Sequence, residues 1–446
     1  MSPVGSEISQ LPLPGPDHEA AIPPSADTRS GVFSWYPAST STERRTFWIC
    51  YAGHLLDAMD IQFYSFAIPS ILLALSLTNG QAGQIASAAL IASAIGGWAA
   101  GIAADRIGRV RTLQITIAWF ALFSLLSSFA QGYSSLFFTR SLLGFGFGGE
   151  TAVSAILMAE MIAPAARGRA VGLVQSAWAT GSIATAICSA AAFTVFPLQT
   201  GWRVLFGVGV APALLILAIR RSMPEPAIYL RSRAIRGKAA NPLLIFSRAH
   251  LRTTIATTLV ATGILGGNFA FNVWLPTFLR NVRHLSVFGT GGYLIVLYVG
   301  ALLGYITGAY LTDRIGRKLN FAVFALCAVA ILEIYTQLPI SDGAMLVLGF
   351  PLGFFSSGIL AGIGSFFSEL YPTAIRGSGQ AFAFNGGRAL GALFPALVGI
   401  FANRLPLGTV IGTIGIAPYV LMLFALLVLP ETRGQPLDRI DPHHTQ

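Results

Sequence analysis

Long apolar runs alternate with short polar stretches along most of the chain. Each run is long enough to cross a hydrocarbon core of about 30 Å as a helix of roughly 20 residues. Because backbone polar groups in lipid must be satisfied within their own segment, the pattern predicts helices and not open sheets. We predict twelve of these segments, numbered spans 1 to 12, at residues 46–75, 83–104, 112–131, 136–162, 170–195, 203–220, 253–279, 290–311, 319–337, 344–367, 378–401 and 409–429.

The composition excludes an ordinary soluble protein. Of the 446 residues, 54% are hydrophobic and 10% are charged, whereas soluble proteins carry about 25% charged residues. Cys50, Cys188 and Cys327 all fall inside predicted spans, so no disulfide framework is implied. The sequence shows no zinc-ligand spacing, nucleotide-binding loop or nucleophile triad, and we expect neither an enzyme, a metal site nor a bound cofactor.

The net charge of +10 is distributed unevenly along the chain. If the amino terminus is placed in the cytoplasm, 22 of the 28 lysines and arginines fall on cytoplasmic segments. Because this asymmetry follows the positive-inside rule, it indicates orientation and not a nucleic-acid partner. We expect an integral protein of the bacterial inner (plasma) membrane, surrounded by lipid, with both termini cytoplasmic. Its oligomeric state stays open, and a monomer is compatible with the sequence.

Two polar stretches divide the chain into parts. Residues 1–43 are rich in proline and lack the apolar core of a signal peptide, so we predict a disordered cytoplasmic tail. Residues 222–252 are rich in arginine and separate six spans from six. We therefore expect six-helix bundles at 44–221 and 253–432, a cytoplasmic central loop at 222–252 and a second cytoplasmic tail at 433–446.

A repeated pentapeptide indicates that the two halves are copies. The residues Asp105-Arg106-Ile107-Gly108-Arg109 return as residues 313–317, an offset of 208. Further repeated markers have nearly the same offset, namely Glu160, Arg167 and Gly168 with Glu369, Arg376 and Gly377, and Pro224-Glu225 with Pro430-Glu431. Internal repeats are typical of secondary transporters, in which the substrate site lies between the repeats near the middle of the bilayer.

These residues resemble the major facilitator superfamily across residues 44–433. The superfamily signature between helices 2 and 3 is matched by Gly101, Asp105, Arg106, Gly108, Arg109 and Arg111. In the second copy Gly308 lies five residues before Asp313, which departs from the spacing of four in the first. The resemblance implies an all-α membrane protein whose twelve transmembrane helices form two pseudo-symmetric six-helix bundles around a central site.

Two features narrow the resemblance in different directions. Asp57-Ala58-Met59-Asp60 in span 1 resembles the paired-aspartate motif of aromatic-acid/proton symporters, which has Gly where Ala58 stands. Arg388 in span 11 also resembles that family. In contrast, Gly148-Gly149-Glu150 in span 4 is more similar to the metabolite/proton and sialate/proton symporters. Aromatic acids, sugar acids, sialate-like acids and small carboxylates therefore all stay open as substrates.

Acidic side chains inside the spans are candidates for proton coupling, because a charge at the bilayer centre costs about 2.5–3.5 kcal/mol. Asp57 and Asp60 lie three residues apart and so share one helix face. Neighbouring carboxylates in a buried site raise one another's affinity for protons. We predict that Asp57, Asp60 or Glu150 carries the coupling proton. The alternatives are that one aspartate orients a helix and that Glu150 makes a structural hydrogen bond.

Arginines inside the spans are candidates for binding an anion, because a guanidinium stays charged and binds carboxylate through a planar fork. We predict this role for Arg140 and Arg388. Alternatively, Arg140 neutralises the span 1 aspartates or extends to the lipid headgroups, and Arg388 is a packing residue. Further substrate contacts are predicted at polar and aromatic residues that equally suit helix packing, namely Tyr64, Gln175, Trp178, Asn268, Asn272, Tyr298, Phe384 and Asn385.

The repeated loop residues predict a cytoplasmic gate. It consists of two clusters, one formed by Asp105, Arg109, Glu160 and Arg167 and the other by Asp313, Arg317, Glu369 and Arg376. In the families that the chain resembles, such clusters join helix ends as an ionic latch when the carrier opens outward. A surface ion pair is worth only about 0–1 kcal/mol, which suits a contact that breaks in every cycle. The alternative is that the basic residues only set the topology.

Together these features predict a proton-coupled symporter that imports a small organic anion, an aromatic or other carboxylic acid, by alternating access. One alternative is a proton-driven exporter of drugs or metabolites with the same fold. Others are a sugar or sugar-acid porter, a passive facilitator, and a membrane sensor that binds a ligand without transporting it.

Overall fold

The structure of the protein is a computed structural model that describes residues 35–37, 39–162, 167–210, 223, 225–226, 242–372 and 375–433. Side chains are not described at residues 105, 159, 167–169, 171–172 and 313. Most of the two predicted tails and of the central loop lie outside the described residues. Residues 35–39 belong to a unit separate from the helices, which begin with Ser41.

Six helices form the amino-terminal half and correspond to spans 1 to 6. They are α1 (Ser41–Ala74), α2 (Asn79–Ile107), α3 (Arg109–Ser128), α4 (Tyr133–Met161), α5 (Arg167–Val195) and α6 (Leu198–Val208). Helices α1 and α2 each begin with a capping box, in which a threonine hydroxyl and an acidic or amide side chain satisfy each other's backbone N–H groups. The two threonines are Thr40 and Thr78.

The carboxy-terminal half follows a short 3₁₀ helix at Pro242–Phe246. Its helices are α7 (Leu251–Asn272), α8 (Leu275–Asn281), α9 (Val287–Ile315), α10 (Arg317–Gln337), α11 (Asp342–Gly358), α12 (Ile363–Ser368), α13 (Arg376–Gly391), α14 (Leu393–Phe401) and α15 (Leu407–Val428). A 3₁₀ turn at Ile359–Gly362 joins α11 to α12.

Three spans of this half are interrupted, although the sequence predicts them as single helices. Span 7 is divided into α7 and α8, span 10 into α11 and α12, and span 11 into α13 and α14. Proline accounts for two of the breaks, since Pro276 stands at the start of α8 and Pro395 near the start of α14. Hydropathy alone could not reveal these interruptions, because the residues on both sides are apolar.

The prediction of a twelve-helix, all-α membrane protein is confirmed. Ten spans in the described part of the chain are long and apolar enough to cross a membrane. The other two are α1, whose middle carries Asp57 and Asp60, and α6, which is described for only 11 residues. The described ranges contain no strand.

The two halves repeat each other in helix bounds and in packing. Helices α2 and α9 differ by 208 residues at both ends, and α4 and α11 begin 209 residues apart. Glycines of α4 pack directly on backbone carbonyls of α2, with Gly144 on Ala89 and Gly148 on Ser93. In the same way Gly353 of α11 packs on a carbonyl of α9. A side chain at these glycines would force the helices apart.

The halves contact each other at the ends opposite the repeated loops. Gln62 of α1 donates a hydrogen bond of 2.7 Å to the hydroxyl of Tyr298 in α9. The hydroxyl of Ser87 in α2 accepts one of 2.9 Å from the backbone N–H of Ala396 in α14. Both contacts lie toward the loops at 75–78 and 402–406, so the two halves close on each other at that end.

Candidate functional site

The two aspartates of α1 have different partners. The carboxylate of Asp60 accepts a hydrogen bond of 2.8 Å from Arg140 Nη1, and Arg140 Nη2 donates one of 3.2 Å to the backbone oxygen of Asp60. Ser124 of α3 donates to the second carboxylate oxygen of Asp60. Asp57, one helical turn earlier, faces Glu150. Although three residues apart, the aspartates therefore belong to separate clusters.

The ion pair of Asp60 and Arg140 lies inside the amino-terminal half, and its side chains are only 1% and 2% exposed. The guanidinium lies 5.3 Å from the ring centroid of Tyr64 and 4.9 Å from that of Phe206. A buried pair with extra hydrogen bonds is costly to separate. The structure thus shows Arg140 neutralising an aspartate, which was the alternative to its predicted contact with substrate.

The second cluster holds two carboxyl groups close together. Ligand atoms of His54, Asp57 and Glu150 all lie within 4.8 Å of one another, and the three residues are buried. Asp57 Oδ2 and Glu150 Oε2 have no hydrogen-bond partner among the described residues. Two carboxylates this close and away from water cannot both stay ionised, so the pair is suited to share a proton.

The flanking groups of this cluster come from α1 and α5. Gln175 hydrogen-bonds His54, and the ring centroid of Trp178 lies 6.0 Å from that of His54. The imidazole and the two carboxyl groups are also suitable ligands for a metal ion. The sequence indicates no metal site, and its absence stays a prediction.

Arg388 brings a positive charge to this cluster from the other half of the protein. It lies in α13, it is 7% exposed, and its charge acts on both Asp57 and His54. The guanidinium carbon lies 4.9 Å from the ring centroid of Phe384 and 5.7 Å from that of Phe147. Among the described residues no carboxylate lies within ion-pair distance of it. The cluster therefore spans the boundary between the two halves and leaves a cation available.

A narrow cavity of about 40 Å³ lies between α1, α2, α4, α5 and α7. Its walls include five predicted substrate contacts, namely Tyr64, Arg140, Trp178, Asn268 and Asn272, and also Gln62 and Ser65. Asn272 Nδ2 donates a hydrogen bond of 2.9 Å to Asn268 Oδ1. The cavity wall therefore presents neutral amide groups and aromatic rings.

Three of the predicted contacts, Tyr64, Tyr298 and Asn385, already have hydrogen-bond partners within the protein. The hydroxyl of Tyr64 donates to the backbone oxygen of Ala82 at 2.7 Å, and that of Tyr298 is bonded to Gln62. Asn385 donates to the backbone oxygen of Ala381 and faces Gly97 of α2. The polar groups of these side chains are therefore engaged within the protein in this closed arrangement.

Among its described side chains, the predicted gate forms an ion pair in each half. Arg109 Nη2 lies 3.0 Å from Glu160, and Arg317 Nη2 lies 2.8 Å from Glu369. Arg376 donates to the backbone oxygen of Tyr371 at 3.3 Å. The side chains of Asp105, Arg167 and Asp313 lie outside the described residues. Each pair joins helices of the same half, and both are present while the opposite ends are closed, so their role as a gate stays a prediction.

Two glutamates complete these loop clusters in a role that the sequence did not assign. Glu225 accepts hydrogen bonds from the backbone N–H groups that begin α3, at 2.9 Å from Arg109 and 3.1 Å from Val110. Glu431 does the same for α10, at 2.9 Å from Arg317 and 3.0 Å from Lys318. A negative charge at a helix start is favourable. The repeated Pro-Glu pair was the available signal, whereas nothing in the sequence pointed to Ser124, Gln62 or Phe147.

Comparison with known proteins places these observations in a family. The profile described as Major Facilitator Superfamily matches residues 50–332, and the profile described as Sugar (and other) transporter matches residues 238–443. The probable 4-methylmuconolactone transporter of Cupriavidus pinatubonensis is 37% identical over 412 residues, which are 92% of this chain and 95% of that protein. The cis,cis-muconate transport protein of Acinetobacter baylyi is 28% identical, covering 89% and 96%.

Solved structures show the same fold. A crystal structure of a D-xylose-proton symporter superimposes with a TM-score of 0.70 at 21% identity, covering 89% of this chain and all of that one. An inward open structure of the xylose transporter from E. coli gives the same TM-score. At this identity the likeness concerns the fold alone.

Proposed function

Because this chain belongs to the major facilitator superfamily, we propose that it imports a small organic anion together with a proton by alternating access. It is an integral membrane transporter and not an enzyme, and its relatives include transporters of organic acids. Proton coupling, the direction of transport and the carboxylic acid substrate are the parts of this proposal that go beyond the family.

The observation that carries the proposal is the group formed by Asp57, Glu150 and Arg388. Two carboxyl groups suited to share a proton stand in one half, and an arginine without a carboxylate partner among the described residues stands in the other. Binding a proton on one side and an anion on the other changes the attraction between the halves. Such a difference in binding between two states is what couples a ligand to a conformational change.

The cycle that follows is a rearrangement of charges at this boundary. A proton from outside neutralises the carboxyl pair, which weakens its hold on Arg388. The substrate carboxylate then binds the guanidinium, which can form two parallel charge-assisted hydrogen bonds. With the charges compensated, the halves rock, and both ligands leave on the side of the repeated loops. Asp60 and Arg140, paired inside one half, stay paired in this scheme and add no net charge to the site.

The substrate class is proposed from the walls of the site and from the relatives. Phe147, Trp178 and Phe384 offer flat apolar surfaces, and Asn268 and Asn272 offer neutral hydrogen-bonding groups. A planar or ring-containing carboxylic acid fits both. Two relatives are named for 4-methylmuconolactone and for cis,cis-muconate, which are acids of this kind.

The placement in the cell is proposed from the charge distribution. Because 22 of the 28 lysines and arginines share one side with both termini, we place the termini and the central loop at 222–252 in the cytoplasm of a bacterium. The two six-helix bundles at 44–221 and 253–432 are then joined on the cytoplasmic side.

The test is uptake of labelled acids into proteoliposomes with an acidic exterior. The panel contains 4-methylmuconolactone, cis,cis-muconate, benzoate and gluconate. We expect the gradient to drive accumulation of at least one carboxylic acid by the wild type. The double variant Asp57→Asn, Glu150→Gln should exchange substrate but lose accumulation driven by the gradient.

A matched control is Glu333→Gln in α10. Glu333 makes no hydrogen bond or ion pair in the described part of the chain, so its removal should leave the gradient effect unchanged. Efflux against the same gradient would indicate an exporter, and uptake without proton entry, followed with an internal pH dye, would indicate a facilitator. Either result, or gradient-driven accumulation by the double variant, contradicts the proposal.

A further inference from the structure

We propose that each cycle moves one proton with one singly charged carboxylate, so that the occupied site carries no net charge and the membrane potential does not drive transport. The inference rests on the proposed function and adds the stoichiometry and the charge of the substrate to it. It follows from the charged groups that face one another at the boundary between the halves.

The boundary offers a substrate one cation. Arg140 is bonded to both the carboxylate and the backbone oxygen of Asp60 and lies within the amino-terminal half. Arg280 stands at the end of α8, next to the ring of Phe193. Among the described residues inside the spans, Arg388 alone faces the carboxyl pair, and it makes contacts with aromatic rings instead of an ion pair.

The opposing groups are Asp57 and Glu150, with two further titratable side chains beside them. Cys50 is a thiol that donates to the backbone oxygen of Ser154 at 3.7 Å, which requires its proton and makes it neutral. We count His54 as neutral because a second cation next to Arg388 would be repelled. With one proton shared by the two carboxyl groups, their single negative charge balances Arg388, and the empty site has no net charge.

A second proton changes this balance by one unit. Both carboxyl groups are then neutral, and the positive charge of Arg388 is left without compensation. One substrate carboxylate restores neutrality, so one proton and one negative charge enter together. In a low-dielectric site an uncompensated charge is strongly disfavoured. The number of fixed charges in the site therefore sets the number of charges that are transported in each cycle.

The same count selects the substrate. A second carboxylate on the substrate would need a second cation, but the other polar side chains that line the cavity away from the Asp60 pair are neutral, namely Gln62, Ser65, Asn268 and Asn272. Amides and hydroxyls bind a carbonyl or hydroxyl group well. We therefore expect a monocarboxylate whose remaining polar groups are neutral, such as a lactone acid.

The deciding experiment separates the pH gradient from the membrane potential. Wild-type protein in potassium-loaded proteoliposomes with valinomycin is given 4-methylmuconolactone carboxylate under a pH gradient alone or a potential alone. We expect accumulation with the gradient and none with a potential of either sign. Uptake driven by a negative interior would mean more than one proton, and uptake driven by a positive interior would mean excess negative charge. Both results overturn the stoichiometry.

The experiment distinguishes a failure of this inference from a failure of the proposed function. If the pH gradient has no effect, proton coupling itself is wrong. If the gradient drives uptake and the potential does so too, only the one-to-one count is wrong.

If the one-to-one stoichiometry is right, a variant without the carboxyl pair should respond to the membrane potential. In the double variant Asp57→Asn, Glu150→Gln the empty site keeps the charge of Arg388, so the anion crosses without a proton. A positive interior should then drive uptake, with about a tenfold change in accumulation for about 59 mV, and Glu333→Gln should behave like the wild type. Continued indifference of a transporting double variant to the potential contradicts the count. If that variant does not transport, the wild-type measurement decides.

Substrate selection is tested with a matched pair. The monomethyl ester of cis,cis-muconate differs from cis,cis-muconate by one charge on the same carbon chain. We expect the monoester to be taken up about tenfold faster or more, since one uncompensated charge is removed. Faster uptake of the dicarboxylate would overturn the selection.

Discussion

The two halves of this transporter are alike in their loops and different in their membrane interior. Arg109 with Glu160 and Arg317 with Glu369 form ion pairs of almost the same length, 3.0 and 2.8 Å, at equivalent positions. Glu225 and Glu431 also cap equivalent helices. Inside the spans the charges are not repeated, so the two halves are alike where the loops hold helix ends together and differ in the charged candidate site.

The repeat offset shows how complete that divergence is. Asn268 stands 208 residues after Asp60, and Gly349 stands 209 residues after Arg140. Ile359 takes the position of Glu150, and Ala179 takes the position of Arg388 in the other half. Each charge of the site therefore has a neutral counterpart. In the proposed function, proton binding therefore falls to one half and anion binding to the other.

The helices of the two halves also differ in their continuity. Spans 1 to 5 are continuous helices, whereas spans 7, 10 and 11 are interrupted. The continuity of the helices therefore also distinguishes the two halves.

The largest difference between the halves should appear when equivalent residues of spans 1 and 7 are replaced. Asp60→Asn leaves Arg140 as a buried charge without a partner, which is expected to cost about 3–5 kcal/mol of unfolding free energy. Asn268→Ala removes only neutral hydrogen bonds, worth about 1 kcal/mol. Denaturation of the purified protein in detergent measures both.

The double variant Asp60→Asn, Arg140→Leu is the control for this prediction. It removes both charges, so it should recover a large part of the stability that Asp60→Asn loses. Equal losses for Asp60→Asn and Asn268→Ala would show that the ion pair does not distinguish the halves.

A smaller effect is expected when Arg388, the cation of the carboxy-terminal half, is replaced. Substrate binding should weaken, but stability should not change. Arg388→Gln removes charge-assisted hydrogen bonds to substrate, so uptake at low substrate concentration should fall about 10- to 100-fold. The melting temperature should stay close to that of the wild type, because no ion pair among the described residues is broken and the carboxyl pair that Arg388 balances can bind a second proton. Arg404→Gln, at an exposed position in the loop before α15, is the matched control. A large fall in melting temperature would indicate a structural role for Arg388.

Much of this fold was predictable because lipid imposes a simple rule on apolar segments. The twelve spans, the repeat and the family followed from hydropathy and from the motif at Asp105–Arg109. The breaks in spans 7, 10 and 11 did not, since they depend on local backbone packing within apolar sequence. The same limit applied to Gln62 and Tyr298, whose contact joins residues 236 positions apart.

The candidate site was predictable only as a set of charges. A charge in a span indicates function, but its partner depends on which way each helix is turned. Asp57 and Asp60 share a helix face in sequence, yet one faces Glu150 and the other Arg140. The choice between Arg140 and Arg388 as the free cation therefore required the packing of five helices.

The loop ion pairs of the two halves should contribute equally to stability. Among the described side chains, Arg109→Gln and Arg317→Gln each remove an ion pair whose arginine is 9% exposed. We expect each to lower the unfolding free energy by about 1 kcal/mol, and the two losses to agree within about 0.5 kcal/mol. Thermal melting of both variants provides the measurement. A clear difference between them would mean that the loops have diverged as the site has.

The smallest effect is expected for Glu431, whose contribution to stability should disappear at acidic pH. Burial raises the pKa of this carboxyl, but hydrogen bonds from the backbone N–H groups of Arg317, Lys318, Arg433 and Thr432 outweigh it and lower the pKa below its ordinary value of 4.5. A group with a lowered pKa stabilises the folded state above the ordinary value, and that stability is lost as pH falls through the lowered one.

Because Glu431 is largely exposed, the contribution should stay below about 1 kcal/mol. Melting temperatures of the wild type and Glu431→Gln, measured from pH 7 down to pH 3, should therefore differ at neutral pH and converge as pH falls below 4.5. A constant difference at all pH values would show that the carboxylate charge is not what holds the start of α10.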